Sequence, residues 1–394
     1  MQPSKKVDPR LPQEIMDIII EFCHQDRATL RTASLVFLFG SQLGYSAQFF
    51  DNLSSRYHTL IPFVRAVEIR QRSTRIDWPR VEQTLSYTFS HITSLSILLS
   101  SDYVTVPLDV LRLACSFLHL QNLTIKVDGT LRLRIPFSGV YMRLPDTLVS
   151  LNMLSALEHP GWIYPLFQWM LRHQEPDGST SLTNLREMVL CTFASGLAPV
   201  GAYLTSHCAG LEKLYLVLGR DFFFQEEKLI PLHQLPSLQL LVLSGHVPVR
   251  RPRLFRFARC LRHLRSSHLK TVGFDLGIDD LESGEAERIL PALDLFFASR
   301  EDNHTSDHFE FSSLRNVVVN IFLSLSIDLK ESEDTESRRF SVHQSLKEQV
   351  EKFMPCCHES GLLLVEVLSG DAQKSLLRHD IKSYYDKILR CRNK

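Results

Sequence analysis

No stretch of this chain approaches the ~18 consecutive apolar residues that a membrane span needs. The opening text, Met1 to Arg10, holds neither an apolar signal core nor a small-residue cleavage site. The eight cysteines, at positions 23, 115, 191, 208, 260, 356, 357 and 391, include no Cys-x-x-Cys pair and mostly sit inside apolar text, as reduced, buried thiols do. There is no glycine-rich phosphate loop and no His-Glu-x-x-His helix, and the text around Ser46 lacks the second glycine of a nucleophile elbow. Charge of one sign is missing as well: 44 Lys plus Arg balance 44 Asp plus Glu, so no global field draws the protein to nucleic acid or an anionic membrane. These absences lead to the expectation of a soluble protein, cytoplasmic or nuclear, that is not an enzyme. It should carry no disulfide, cofactor or metal and bind neither nucleic acid nor membrane.

One cluster mimics a metal site, Cys356-Cys357-His358-Glu359, with His304, Asp307 and His308 distant in sequence. Adjacent cysteines at a helix end diverge and do not readily share one tetrahedral ion. A core or loop role is the expectation.

What the chain does have is apolar residues, 44% of 394, enough for a substantial core and, by length, for two or three domains. Their spacing is repetitive. An apolar residue, two others, an apolar residue, one other and an apolar residue recur at Ile92/Leu95/Ile97, Leu120/Leu123/Ile125, Leu148/Leu151/Met153 and Leu185/Met188/Leu190. The pattern continues at Leu211/Leu214/Leu216, Leu238/Leu241/Leu243, Leu269/Val272/Phe274 and Leu314/Val317/Val319, with a weaker copy at Leu362/Val365/Val367. First positions differ by 28, 28, 37, 26, 27, 31, 45 and 48 residues, so five of eight intervals lie between 26 and 31. The alternation at the end of each copy suits a short strand with one face buried.

Helical stripes lie between copies: Leu111, Ala114, Cys115 and Leu118; Ile163, Leu166, Phe167 and Met170; Leu254, Phe257, Ala258, Leu261 and Leu264; Val342, Leu346, Val350 and Phe353. A strand and a helix repeated at about 27 residues cannot bury their apolar faces alone, so stacked neighbours must supply one continuous core. Residues 91–370 thus resemble the leucine-rich-repeat family in irregular form, without the asparagine ladder of regular repeats. The resemblance implies an α/β solenoid, with a parallel sheet on the concave face and helices outside. A non-repetitive α/β domain with leucine-rich strands is the alternative.

Ahead of the repeats, Leu11 to Val36 reads as two short amphipathic helices. Pro12 suits a first helical position, Ile15, Ile18, Ile19 and Phe22 make one face, and a second helix carries Leu30 and Ala33. A unit this small holds no core of its own, so its face packs on the solenoid, on a partner or on both. The residues Leu11-Pro12, Glu14-Ile15, Ile18-Ile19, Phe22-Cys23-His24, Asp26, Thr29-Leu30-Arg31 and Ala33-Ser34-Leu35-Val36 resemble the F-box. The whole arrangement is similar to fungal F-box proteins with degenerate leucine-rich repeats.

That resemblance implies docking on the Skp-type linker subunit of a cullin-RING ubiquitin ligase, with the repeats capturing a target protein. Leu11, Pro12, Ile15, Ile18, Ile19, Leu30, Leu35 and Val36 would then form the linker interface. The family's Cys-Arg-x-Trp is replaced here by Phe37-Leu38-Phe39-Gly40, so the Arg and Trp of its third helix are absent. A helical cap shielding the end of a solenoid also accounts for the amphipathic face. The expected organisation is a tail at 1–10, F-box-like helices at 11–55, a linking or capping segment at 56–90, the repeats at 91–370 and a basic C-terminal helix at 371–394.

Charged text adds two expectations. Arg253, Arg256 and Arg259, within a run of seven arginines from Arg250 to Arg265, read as the solvated side of an outer helix or as an anion patch for an acidic or phosphorylated segment. Asp275 to Glu287 and Lys330 to Ser337 are acidic and read as surface loops, the second of them mobile.

Overall fold

A six-residue strand with leucine or isoleucine at alternate positions has one face that water should not touch, and it gains most when an identical strand lies beside it. The computed structural model holds eleven such short strands, nine of six residues and two of seven, with apolar residues at alternate positions. It describes residues 34–39, 64–71, 78–99, 108–127, 144–155, 182–192, 194–218, 232–245, 267–278, 286–298, 313–323 and 335–368, together with Phe167, Leu261, Leu264, Leu281, Gly284, Phe311, Tyr384, Tyr385 and Lys387.

The strands are β1 (Ser34–Phe39), β2 (Ala66–Gln71), β3 (Ser94–Leu99), β4 (Asn122–Val127), β5 (Ser150–Ser155) and β6 (Glu187–Thr192). They continue with β7 (Lys213–Leu218), β8 (Leu240–Gly245), β9 (Thr271–Gly277), β10 (Asn316–Phe322) and β11 (Leu363–Leu368). They form one eleven-stranded sheet in sequence order, each described pair parallel. Strand order that follows chain order, with no crossover, is the signature of a solenoid. The chain is therefore an α/β repeat solenoid.

All nine copies of the repeat fall on strands, β3 to β11. Register aligns the second motif position into one row, Leu95, Leu123, Leu151, Met188, Leu214, Leu241, Val272 and Val317, and the third into a parallel row from Ile97 to Val319. Both rows are buried in one continuous core. Each leucine so placed stabilises the fold by about 1.5–3 kcal/mol.

Helices cover that face: α1 (Trp78–Thr88), α2 (Leu108–Cys115), α3 (Ala194–His207), α4 (Ala286–Ala298), α5 (Thr335–Phe353) and the short α6 (Pro355–Glu359). The interval of 45 residues accommodates α4, and the interval of 48 holds α5 and α6.

A backbone ladder runs along the starts of the strands. The carbonyl just before each strand accepts two successive N–H groups from the next repeat: Arg65 from Thr93 and Ser94, Thr93 from Gln121 and Asn122, and Gln121 from Val149 and Ser150. The series continues through Val149, Arg186, Glu212, Gln239 and Lys270. Before the strand, the N–H of the first motif leucine closes a turn onto the carbonyl three residues earlier, as Leu120 onto Phe117, Leu185 onto Leu182 and Leu314 onto Phe311. Those turn residues are buried as well, which extends the motif by one apolar position. Backbone groups that would otherwise be orphaned are satisfied without side-chain help.

Several expectations need correction. Ser34–Phe39 is a strand paired in register with Ala66–Gln71, not the end of a helical segment, so Leu35 and Val36 lie on β1. The run Ser-Leu-Val-Phe-Leu-Phe has the β-branched and aromatic content that favours a strand over a helix. The sheet also starts before residue 91, because Val64, Val67 and Ile69 repeat the motif 28 residues ahead of Ile92. Leu118, read as part of a helical stripe, follows α2 and is 75% exposed. Asp275, read as the start of a surface loop, is buried on β9. Thr335 to Ser337, in the second acidic run, begins α5.

Candidate functional site

With one face committed to the helices, the other face of the sheet is the surface available for recognition. Its central row, fixed by register, reads Glu68, Ser96, Thr124, Asn152, Val189, Tyr215, Val242, Gly273, Val318 and Leu364. The first four are polar and partly exposed. From Val189 to Val318 the row is buried. One side of a single sheet thus changes from polar to apolar between β5 and β6.

The polar half carries its own small network. Asn152 Nδ2 donates to Thr124 Oγ1 at 3.1 Å, Glu68 pairs with Arg70, and Asn152 Oδ1 has no hydrogen-bond partner among the described residues. At the boundary, Lys213 lies 3.9 Å from the Glu187 carboxylate, which also accepts from Ser150 Oγ at 3.3 Å.

The apolar half is covered by Tyr384 and Tyr385 of the same chain. Val189, Tyr215, Leu240, Val242, Val318 and Tyr385 form a second buried cluster, flanked by Leu154, Leu364 and Tyr384. Tyr385 is fully buried and sits over Gly273, where an added Cβ would lie 2.6 Å from its ring. Only a residue without a side chain admits the ring at that depth. Its ring meets Tyr215 edge-on at 6.1 Å between centroids and Tyr384 at 5.7 Å.

The floor of this basin is polar at two points. The Tyr385 hydroxyl donates to Asp275 Oδ1 at 2.7 Å and accepts from Asn320 Nδ2 at 2.8 Å. Asn320 Nδ2 also reaches Asp275 Oδ1 at 2.8 Å, and the Tyr384 hydroxyl donates to Asn320 Oδ1 at 3.2 Å. Burial, followed by the charge of Asp275, raises the Tyr385 phenol well above its ordinary range. Burial, then the charges of Glu366 and Asp275, raises Tyr384 too. Both phenols are held as neutral donors.

On the helical side, buried Asp294 of α4 accepts backbone N–H bonds from Cys356 at 2.9 Å and Cys357 at 2.7 Å, capping the start of α6. The Cys-Cys-His-Glu text is therefore a capped helix. Cys357 is buried, Cys356 is exposed, and their thiols are raised, Cys357 first by burial and Cys356 first by its hydrogen bond to Asp294. Burial pushes the Cys115 and Cys208 thiols up to about 12. Among the described residues no group of three or more His, Cys, Asp or Glu is placed to hold a metal ion, and no helix is long and apolar enough to cross a membrane.

Of the residues singled out from sequence, Leu11, Pro12, Ile15, Ile18, Ile19 and Leu30, and Arg253, Arg256 and Arg259, lie outside the described residues. Leu35 and Val36 are on β1, at the far end of the sheet from the tyrosine basin. Gly273, Asp275, Asn320, Tyr384 and Tyr385 were not anticipated. Their signal was available: a glycine and an aspartate inside "TVGFDLG", and an asparagine inside "NVVVNIF", interrupt otherwise apolar strands.

Comparison with known proteins adds little. No family model matches the chain, and no curated protein matches it. Among solved structures it is similar to the leucine-rich repeat-containing protein LegL7 from Legionella pneumophila, at 14% identity and a TM-score of 0.34, over 82% of this chain and 98% of that one. A likeness that low carries no argument of its own. The fold assignment rests on the strand order and register.

Proposed function

We propose that this chain is a protein-recognition adaptor whose solenoid binds a target protein on the open face of its sheet. The observation that carries this reading is the division of labour between the two faces: one is wholly committed to the core, while the other presents Glu68, Ser96, Thr124 and Asn152 at partial exposure. A row of short polar side chains on a stiff sheet offers hydrogen-bonding groups at a fixed strand spacing, which suits a protein surface better than a small molecule.

The F-box resemblance of Leu11 to Val36 extends the proposal to a substrate-recognition subunit of a cullin-RING ubiquitin ligase. In this reading Leu11, Pro12, Ile15, Ile18, Ile19 and Leu30 dock on the Skp-type linker, which connects to the cullin. Since Leu35 and Val36 belong to β1, the linker interface is expected to draw chiefly on the residues before Ser34. Mixing the full chain with purified Skp-type linker and following co-elution by size exclusion tests this. A stable complex supports the adaptor role, and separate elution removes it.

A second reading has one specific observation in its favour. Because β1 already belongs to the sheet, residues 1–33 directly precede the first rung and are placed in sequence to cap it. The protein is then a binding scaffold that makes no contact with a ligase.

A further inference from the structure

A parallel solenoid ends on a strand that has a neighbour on one side only. Among the described residues that strand is β11. Leu362 and Leu368 turn their carbonyls toward β10, accepting the N–H groups of Val317 at 2.9 Å and Leu323 at 3.0 Å. In a parallel ladder the residues of the other parity then face away, so Leu363, Val365 and Val367 present their N–H and C=O groups outward at the sheet edge. Their side chains extend the core rows. In β10 the matching Val317, Val319 and Ile321 are fully buried, whereas these three are half-buried at the end of the array.

Glu366 lies in the middle of this edge and is exposed. Its register neighbour Asn320 directs its amide nitrogen to Asp275 and to the Tyr385 hydroxyl, both at 2.8 Å, so neither amide proton is left for the Glu366 carboxylate. Among the described residues no hydrogen bond or ion pair reaches that carboxylate. An edge with outward ladder groups, half-buried apolar rows and one unpaired charge suits a strand that continues all three. A second copy does not. Two edges meeting about a twofold axis keep each face of the sheet on its own side, and in the best-overlapping registers Glu366 then opposes its own counterpart or Leu364.

We propose that β11 is a strand-addition site for an extended segment of a partner protein that alternates apolar with polar residues and carries a lysine or arginine opposite Glu366. The apolar side chains continue the rows of Leu363, Val365 and Val367, and the cation meets the Glu366 carboxylate. This edge is distinct from the open face of the sheet and from linker docking.

The test uses the full chain and a fluorescent six-residue peptide in which valine alternates with threonine and the second threonine is replaced by lysine. Wild type should bind it about fivefold or more tighter than the same peptide with glutamate in place of lysine, and Glu366→Lys should reverse that preference. A peptide methylated at every backbone nitrogen should not bind either form. Amide exchange at residues 363–368 should slow when the lysine peptide is added.

Equal binding of the two charged peptides, binding that survives methylation, or no binding by folded wild type at about 1 mM peptide overturns the proposal. Two results would assign the edge to another occupant and overturn it as well. One is exchange at Leu363, Val365 and Val367 that is already slow in the free monomer, which means that the chain covers its own edge. The other is a dimer that the peptide dissolves.

Discussion

The hydroxyl of Tyr385 donates a hydrogen bond to Asp275 Oδ1 at 2.7 Å, joining the C-terminal segment to the middle of β9. Neither residue belongs to the repeat motif. Their meeting buries the second face of the sheet around β7 to β10, while Glu68, Ser96, Thr124 and Asn152 on the same face stay partly exposed.

Tyr385→Phe leaves the ring and removes the hydroxyl, so Asp275 and Asn320 lose a shared partner inside a buried basin. Losing one hydrogen bond to a buried carboxylate, while Asp275 and Asn320 stay bonded to each other, costs about 1–3 kcal/mol. Urea denaturation should register a loss of that size. A neutral result would mean that the Asn320–Asp275 bond alone satisfies both groups.

Alkaline pH should act through the same pair. Both phenols have folded pKa values raised above the unfolded value of about 10, so their contribution is fully present below that pH and is lost as pH rises through the folded values. Phenolate absorbance should show late-titrating phenols that are lost in a Tyr384→Phe/Tyr385→Phe variant. Absence of any late-titrating phenol would contradict the buried placement of Tyr385.

Much of the architecture was legible because leucine spacing and strand burial are the same fact seen twice. The row from Leu95 to Val317 reads off the text since each member sits one strand from an equivalent apolar neighbour. The first rung was less legible. Ser34–Phe39 follows a helix-like pattern without a break, and only pairing with Ala66–Gln71 reveals it as a strand. The tyrosine basin was hidden for another reason. Residues 110 apart have no spacing rule, and a lone aspartate inside a strand signals an anomaly without naming the partner that resolves it.

Asp294→Ala removes both backbone hydrogen bonds that hold α6 against α4, leaving the N–H groups of Cys356 and the buried Cys357 without their acceptor. Bonds to a buried carboxylate are stronger than neutral ones, and the expected loss is about 2–3 kcal/mol. Thermal denaturation should show it, and local exchange should rise at residues 355–359 before global unfolding. A stability unchanged from wild type would remove Asp294 from this role.

The two sheet faces should respond differently to truncation. Leu214→Ala, in the central core row, should cost about 2–5 kcal/mol through lost burial and the cavity left behind. Ser96→Ala, on the partly exposed face, should stay within about 0.5 kcal/mol. Comparable losses at both sites would refute the assignment of one face to the core and the other to recognition.

Calorimetric titration of purified Skp-type linker into the full chain, beside the same titration into Leu11→Ala/Pro12→Ala, tests the adaptor role most directly. Wild type should bind with measurable heat. The double variant should bind about tenfold or more weakly, with its unfolding transition unchanged, because interface anchors carry a large share of affinity and the described core is built from residues 64 onward. Absence of binding by a folded wild-type chain would contradict the role, as would equal affinity in both forms.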